Sequence, residues 1–154
     1  MKLLFIGPAR TGTTYLWSLL FNSRKNNKLA FTLSSKKEHY YFEKCYGRDE
    51  FYDSYLSEFN DSENILDFSP TIFHLKDIRQ DIIIDDYFDT IFVIVRDPLD
   101  LWRSSYKYSS NDPSYSFAEA IRKTLSDGYS YSWLVEALNK NPLLINKIEL
   151  ISFS

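Results

Sequence analysis

The chain has 154 residues, 44% of them hydrophobic and 25% charged, the size and balance of one globular domain with one real core. A net charge of −3 excludes the basic footprint of a nucleic-acid binder, so any anion site must be local, built from a few cations and backbone amides. The single cysteine, Cys45, excludes an intramolecular disulfide framework and fits a reducing compartment.

In chain order, short apolar runs alternate with helical stretches. Leu3 to Ile6 is a buried-strand candidate that stops at Gly7-Pro8, too short for a signal peptide or a membrane span. The expectation is therefore a cytoplasmic protein with no membrane span. Thr13 to Ser23 reads as a helix with Leu16, Leu19 and Leu20 on one face. Leu29 to Leu33 is a second strand, and Arg48 to Phe59 a helix carrying Phe51, Tyr55 and Phe59 at i, i+4 and i+8. Ile65 to Phe68 is a short strand ended by Ser69-Pro70. Thr90 to Val95 is the clearest strand, and its continuous apolar run suits a parallel strand covered on both faces. Pro98 stands where a first-turn proline opens a helix to about Tyr108. Ser116 to Leu138 is helical with a break near Asp127-Gly128, and Ile148 to Phe153 is a last strand. This alternation predicts a single α/β domain over residues 1–154: three layers, α/β/α, around a mainly parallel sheet of about five strands. Ligands in such sheets bind beyond the carboxyl ends of the strands.

Two loops leaving strands at that end carry anion chemistry. The first is Gly7-Pro8-Ala9-Arg10-Thr11-Gly12-Thr13-Thr14, followed by a helix. Glycines allow a sharp turn, the helix start presents partly positive amides, and two threonines add hydroxyls, which together make a phosphate cradle. The glycine spacing equals that of the nucleoside-triphosphate loop, but Thr13 stands where that loop has its lysine, and the cation sits inside the loop at Arg10. ATP or GTP hydrolysis is disfavoured. The second is Val95-Arg96-Asp97-Pro98, with Ser104 eight residues and Tyr106 ten residues after Arg96. A guanidinium at a strand end and a hydroxyl on the following helix can bracket one phosphate.

Arg10-Thr11-Gly12-Thr13-Thr14 resembles the 5′-phosphosulfate loop of the sulfotransferases, and Arg96-Asp97-Pro98 with Ser104 and Tyr106 resembles their 3′-phosphate motif. The arginine the family often has five residues on is Leu101 here, with Arg103 close by. Lys37-Glu38-His39-Tyr40-Tyr41-Phe42 is similar to the family's K-E-x-x-F/Y-F segment, whose glutamate takes the acceptor's proton. The resemblance implies a P-loop NTPase-like fold, 3′-phosphoadenosine 5′-phosphosulfate (PAPS) as co-substrate, PAP as product, and an acceptor bearing a hydroxyl, with no metal and no nucleic acid involved. It implies Glu38 as base, with His39 as the alternative, and Arg10 as the cation beside the transferred group. It assigns Arg10, Thr11, Gly12, Thr13, Thr14, Arg96 and Ser104 to the nucleotide, and Lys37 to the acceptor side.

Two further segments match less closely. Asp67-Phe68-Ser69-Pro70 resembles the E-K-S-P segment without its lysine, leaving Ser69 to line the acceptor site. Gly128-Tyr129 with Trp133 resembles a region that reaches the nucleotide, which implies Tyr129; a helix break followed by a core-facing aromatic stripe fits the same residues. His74 has no motif and reads as structural. The resemblance runs from Leu3 to Phe153, and the family usually continues further, so it implies a short or C-terminally truncated form. Residues 43–64 carry seven acids against Lys44 and Arg48; a solvated helix face is the first reading, and if that helix lines the cleft it leans the acceptor toward a neutral sugar, lipid or small alcohol. A degenerate nucleotide-binding relative and a small-molecule kinase are the competing functions. Acceptor identity and oligomeric state are not legible.

Overall fold

The computed structural model describes residues 1–24, 30–34, 36–37, 41–47, 51–75, 82, 87–109, 116–126 and 131–152. Five strands, β1 (Lys2–Ile6), β2 (Thr32–Leu33), β3 (Ile65–Phe68), β4 (Thr90–Val95) and β5 (Ile148–Ser152), form one sheet in the order β2-β3-β1-β4-β5. Every pairing is parallel. The described α-helices are α1 (Thr13–Arg24), α2 (Tyr41–Cys45), α3 (Phe51–Ser57), α4 (Pro98–Ser109), α5 (Phe117–Ser126) and α6 (Ser132–Lys140), with 3₁₀ turns at Pro70–His74 and Pro142–Asn146.

Side-chain alternation along the strands divides the core in two. Leu3, Phe5, Leu66, Phe68 and Ile94 face α1, which covers them with Leu16, Trp17, Leu20 and Phe21. Leu19, expected on that face, is exposed; the stripe runs through Trp17 and Phe21 instead. Under α1 the parallel register aligns three rings across neighbouring strands. Phe68 stacks on Phe5 at 4.5 Å, and Phe5 stacks on Phe92 at the same distance. The opposite face, with Leu4, Ile6, Ile65, Ile91 and Val93, packs against α2, α3, the Pro70–His74 turn and α6. Phe51, Tyr55 and Phe59 are all buried there, as their spacing required. The layers are therefore α/β/α.

The order of strands fixes where a ligand can sit. The chain leaves β1 toward β2 on one side of the sheet and leaves β4 toward β5 on the other. The two connections diverge between β1 and β4, opening a crevice at their carboxyl ends. Gly7 permits this closeness. A Cβ there would meet the Ile94 carbonyl oxygen at 2.9 Å and Thr11 Oγ1 at 3.1 Å. Because the nearest atom is sheet backbone, Gly7→Ala should force β1 and β4 apart and lower stability by about 1–3 kcal/mol. Chemical denaturation checks this, and an unchanged midpoint would contradict it.

Candidate functional site

Six residues connect β1 to α1. They need two left-handed backbone positions, at Gly12 (φ 91°) and at Arg10 (φ 72°), the second a conformation that costs a side-chain-bearing residue energy. Thr11 turns inward: its Oγ1 donates to the Pro8 carbonyl at 2.7 Å and the residue is fully buried. That hydroxyl closes the loop, so contact from Thr11 to a ligand would have to come through its backbone. The first intrahelical bond of α1 runs from Leu16 N–H to the Gly12 carbonyl at 3.0 Å. The amides of Thr13 and Thr14 lie ahead of it, where a helix has no acceptors of its own. No acidic side chain lies in the first turn of α1, so the positive end of its dipole is not offset there. Thr13 is buried beneath the loop and Thr14 is exposed at its rim.

The second loop is built by capping. Asp97 Oδ1 accepts from the amides of Leu99 at 2.9 Å and Asp100 at 3.2 Å, and Pro98 occupies the first helical position. This start carries Arg96 at the end of β4. Arg96 Nη1 donates to the Arg10 carbonyl at 2.8 Å, across 86 residues of sequence. Arg96 Nε is buried and finds no hydrogen-bond partner among the described residues. The Arg96 backbone N–H donates to the Tyr131 hydroxyl at 3.3 Å, and burial pushes that phenol above its usual range despite the bond. The Arg10 guanidinium carbon lies 3.6 Å from the centre of the Tyr108 ring, a cation–π contact with a residue in the last turn of α4.

The two motifs read from sequence thus meet directly. Ser104 is half-buried in the middle of α4, and Tyr106 packs edge-on against Phe117 of α5. Leu101 is a core residue, and Arg103 pairs with Asp100 at 3.6 Å on the solvent face. Lys37 is half-buried after β2. Glu38, His39 and Tyr129 lie outside the described residues. Trp133 is buried against Phe73 in the core, in keeping with the packing reading of that segment. Among the described residues no group of three or more His, Cys, Asp or Glu side chains is placed to hold a metal ion.

Strand β3 carries a buried carboxylate. Asp67 is 0% exposed, and its Oδ2 accepts from Tyr55 Oη at 2.6 Å and from Ser69 Oγ at 2.9 Å. Ser69 N–H also donates to the Phe5 carbonyl at 3.2 Å, fixing the turn after β3 to the end of β1. Phe68, where the resembled segment has lysine, belongs to the ring ladder packed with α1 and is 1% exposed. A charged residue between Leu66 and Phe68 in an apolar strand was the sequence signal for a satisfied buried carboxylate. Tyr108 and Tyr131 had no such signal, since only the fold brings them to Arg10 and Arg96.

No protein-family model matches this sequence, and no curated protein matches it. Among solved structures, a sulfotransferase from Alicyclobacillus acidocaldarius superposes with a TM-score of 0.59 at 17% identity, covering 99% of this chain and 72% of that one. At that identity the likeness establishes the fold: this chain has a sulfotransferase-type α/β fold. No described helix is long and apolar enough to cross a membrane.

Burial, and after it the Asp67 carboxylate that its hydroxyl contacts, hold the Tyr55 phenol well above its usual range. The unfolded chain therefore loses this proton near pH 10 while the folded chain keeps it. The stability Tyr55 contributes is complete below about pH 10 and falls as pH rises toward the folded-state value, by at most about 1.4 kcal/mol per pH unit. Tyr55→Phe should cost about 1–3 kcal/mol at neutral pH by leaving Asp67 a donor short, and should flatten the alkaline decline. Denaturation midpoints from pH 7 to 11.5 check both, and parallel curves for the two proteins would contradict the assignment.

Proposed function

We propose that this chain is a PAPS-dependent O-sulfotransferase acting on a hydroxyl-bearing acceptor: a carbohydrate, a lipid or a small alcohol. The observation that carries the reading is the 2.8 Å bond from Arg96 to Arg10, which joins the two phosphate motifs across the crevice between β1 and β4. PAPS differs from ATP in carrying a 3′-phosphate and a 5′-phosphosulfate on one nucleoside, so it calls for two adjacent anion sites. In this reading the amides of Gly12, Thr13 and Thr14 hold the 5′-phosphate at the start of α1. Arg96 and Ser104 hold the 3′-phosphate, and the Arg96 Nε, without a hydrogen-bond partner among the described residues, is a donor suited to it. Tyr129 borders the nucleotide, while Lys37 and Ser69 border the acceptor.

The chemistry asked of these residues is placement and charge stabilisation, as in phosphoryl transfer. The acceptor oxygen forms a bond to sulfur as sulfur's bond to the bridging oxygen of the 5′-phosphate breaks. Glu38 takes the hydroxyl proton, with His39 as the alternative base. Arg10 stabilises negative charge gathering on the leaving oxygen, and PAP departs with the electron pair. To do so its guanidinium must reach the reacting group from its present place over Tyr108.

Thermal unfolding with adenosine 3′,5′-bisphosphate, AMP and ATP at equal concentration tests the reading. A ligand that binds only the folded state stabilises it by RT ln(1 + [L]/Kd), about 2.7 kcal/mol at a hundredfold excess over Kd. Stabilisation by the bisphosphate well beyond that by AMP or ATP is expected. A response to ATP alone would move the assignment to a small-molecule kinase. Glu38→Gln should keep the bisphosphate response and lose sulfuryl transfer. Bisphosphate binding without transfer to any acceptor by the native protein would identify a degenerate nucleotide-binding relative.

A further inference from the structure

The Arg96 guanidinium is half-buried, and one of its arms is already engaged within the protein. Nη1 donates to the carbonyl of Arg10, which is itself held in the left-handed region at φ 72°. A carbonyl at a strained, non-glycine turn position stays in place only if its surroundings over-determine it. Here a charged donor from the end of β4 does so, while the Tyr108 ring in the same β4–α4 segment holds the Arg10 guanidinium. Arg10 is thus gripped at its backbone and at its side chain by the unit that carries the second phosphate motif. The Arg96 Nε, buried with no hydrogen-bond partner among the described residues, belongs to the same rigid plane as Nη1. An anion bound to the fork therefore also fixes the arm on Arg10.

We infer that Arg96 couples the two phosphate sites. Besides contacting a 3′-phosphate, it is a positioning residue for the 5′-phosphate loop, acting through the Arg10 carbonyl. The inference rests on the PAPS reading and adds a consequence that separate phosphate motifs do not have. Ligands with only a 5′-phosphate also depend on Arg96. By linkage, each phosphate strengthens the binding of the other by the same factor. Lysine cannot replace Arg96 in this role, because a single ammonium group has no planar fork to span a carbonyl and a phosphate together.

Calorimetric titrations of adenosine, AMP, 3′-AMP and adenosine 3′,5′-bisphosphate at fixed ionic strength decide it, using native protein, Arg96→Ala and Arg96→Lys. The expected result is that AMP affinity falls about tenfold in both variants, the size of one charge-assisted hydrogen bond, and bisphosphate affinity falls further. Adenosine affinity should be unchanged, which separates a loop effect from general loosening of the fold. AMP binding the variants as it binds the native protein, while bisphosphate affinity falls, would overturn the coupling and leave the PAPS reading standing. A native protein that binds no phosphorylated ligand would overturn both. Should neither variant fold, the native protein alone decides. The affinity gained from the 3′-phosphate should be about tenfold greater when the 5′-phosphate is present (bisphosphate over AMP) than when it is absent (3′-AMP over adenosine). Equal gains would overturn the coupling.

Discussion

The parallel pairing of β1 with β4 is the constraint on which the rest depends. Its register sets Ile6 beside Val93 and brings Gly7 against the Ile94 carbonyl, so both strands deliver their following loops to the same edge of the sheet. From this one alignment come the start of α1, the left-handed turn at Arg10 and the reach of Arg96 across to it. A side chain at Gly7 or a slip of one residue would separate the two loops before any chemistry was in question.

Electrostatics at the crevice are local. A chain of net charge −3 offers no long-range attraction for a nucleotide. The positive character comes from Arg10, Arg96 and the amino end of α1, whose first turn holds no acid. Three acids among the described residues have partners of their own. Asp97 caps α4, Asp100 pairs with Arg103 in solvent, and Asp67, buried in β3, accepts two hydroxyl donors.

Much of this was legible in the sequence because the signals were backbone signals. A continuous apolar run marked β4 to the residue, the Ser69-Pro70 stop marked the end of β3, and Pro98 marked the start of α4. The glycine and Arg-Asp-Pro patterns placed the loops, since tight turns and helix starts demand those residue types. What was not legible depended on tertiary contact. The five-residue helix α2 is too short to show a periodic stripe. The Thr11 hydroxyl turns inward to close the loop on Pro8, and Leu101 takes a core position where the resembled motif often has arginine. Tyr108 is 71% exposed and unremarkable in sequence, yet α4 carries it to Arg10.

The central claim, that two phosphates of one nucleotide are held where β1 and β4 end, is tested most directly by a crystal structure with adenosine 3′,5′-bisphosphate bound. The account predicts the 5′-phosphate within hydrogen-bonding distance of the Thr13 and Thr14 amides. It places the 3′-phosphate on Arg96 and Ser104, with the Arg96–Arg10 bond retained. A nucleotide bound away from the crevice, or a 3′-phosphate in solvent with Arg96 still turned only to Arg10, would contradict it.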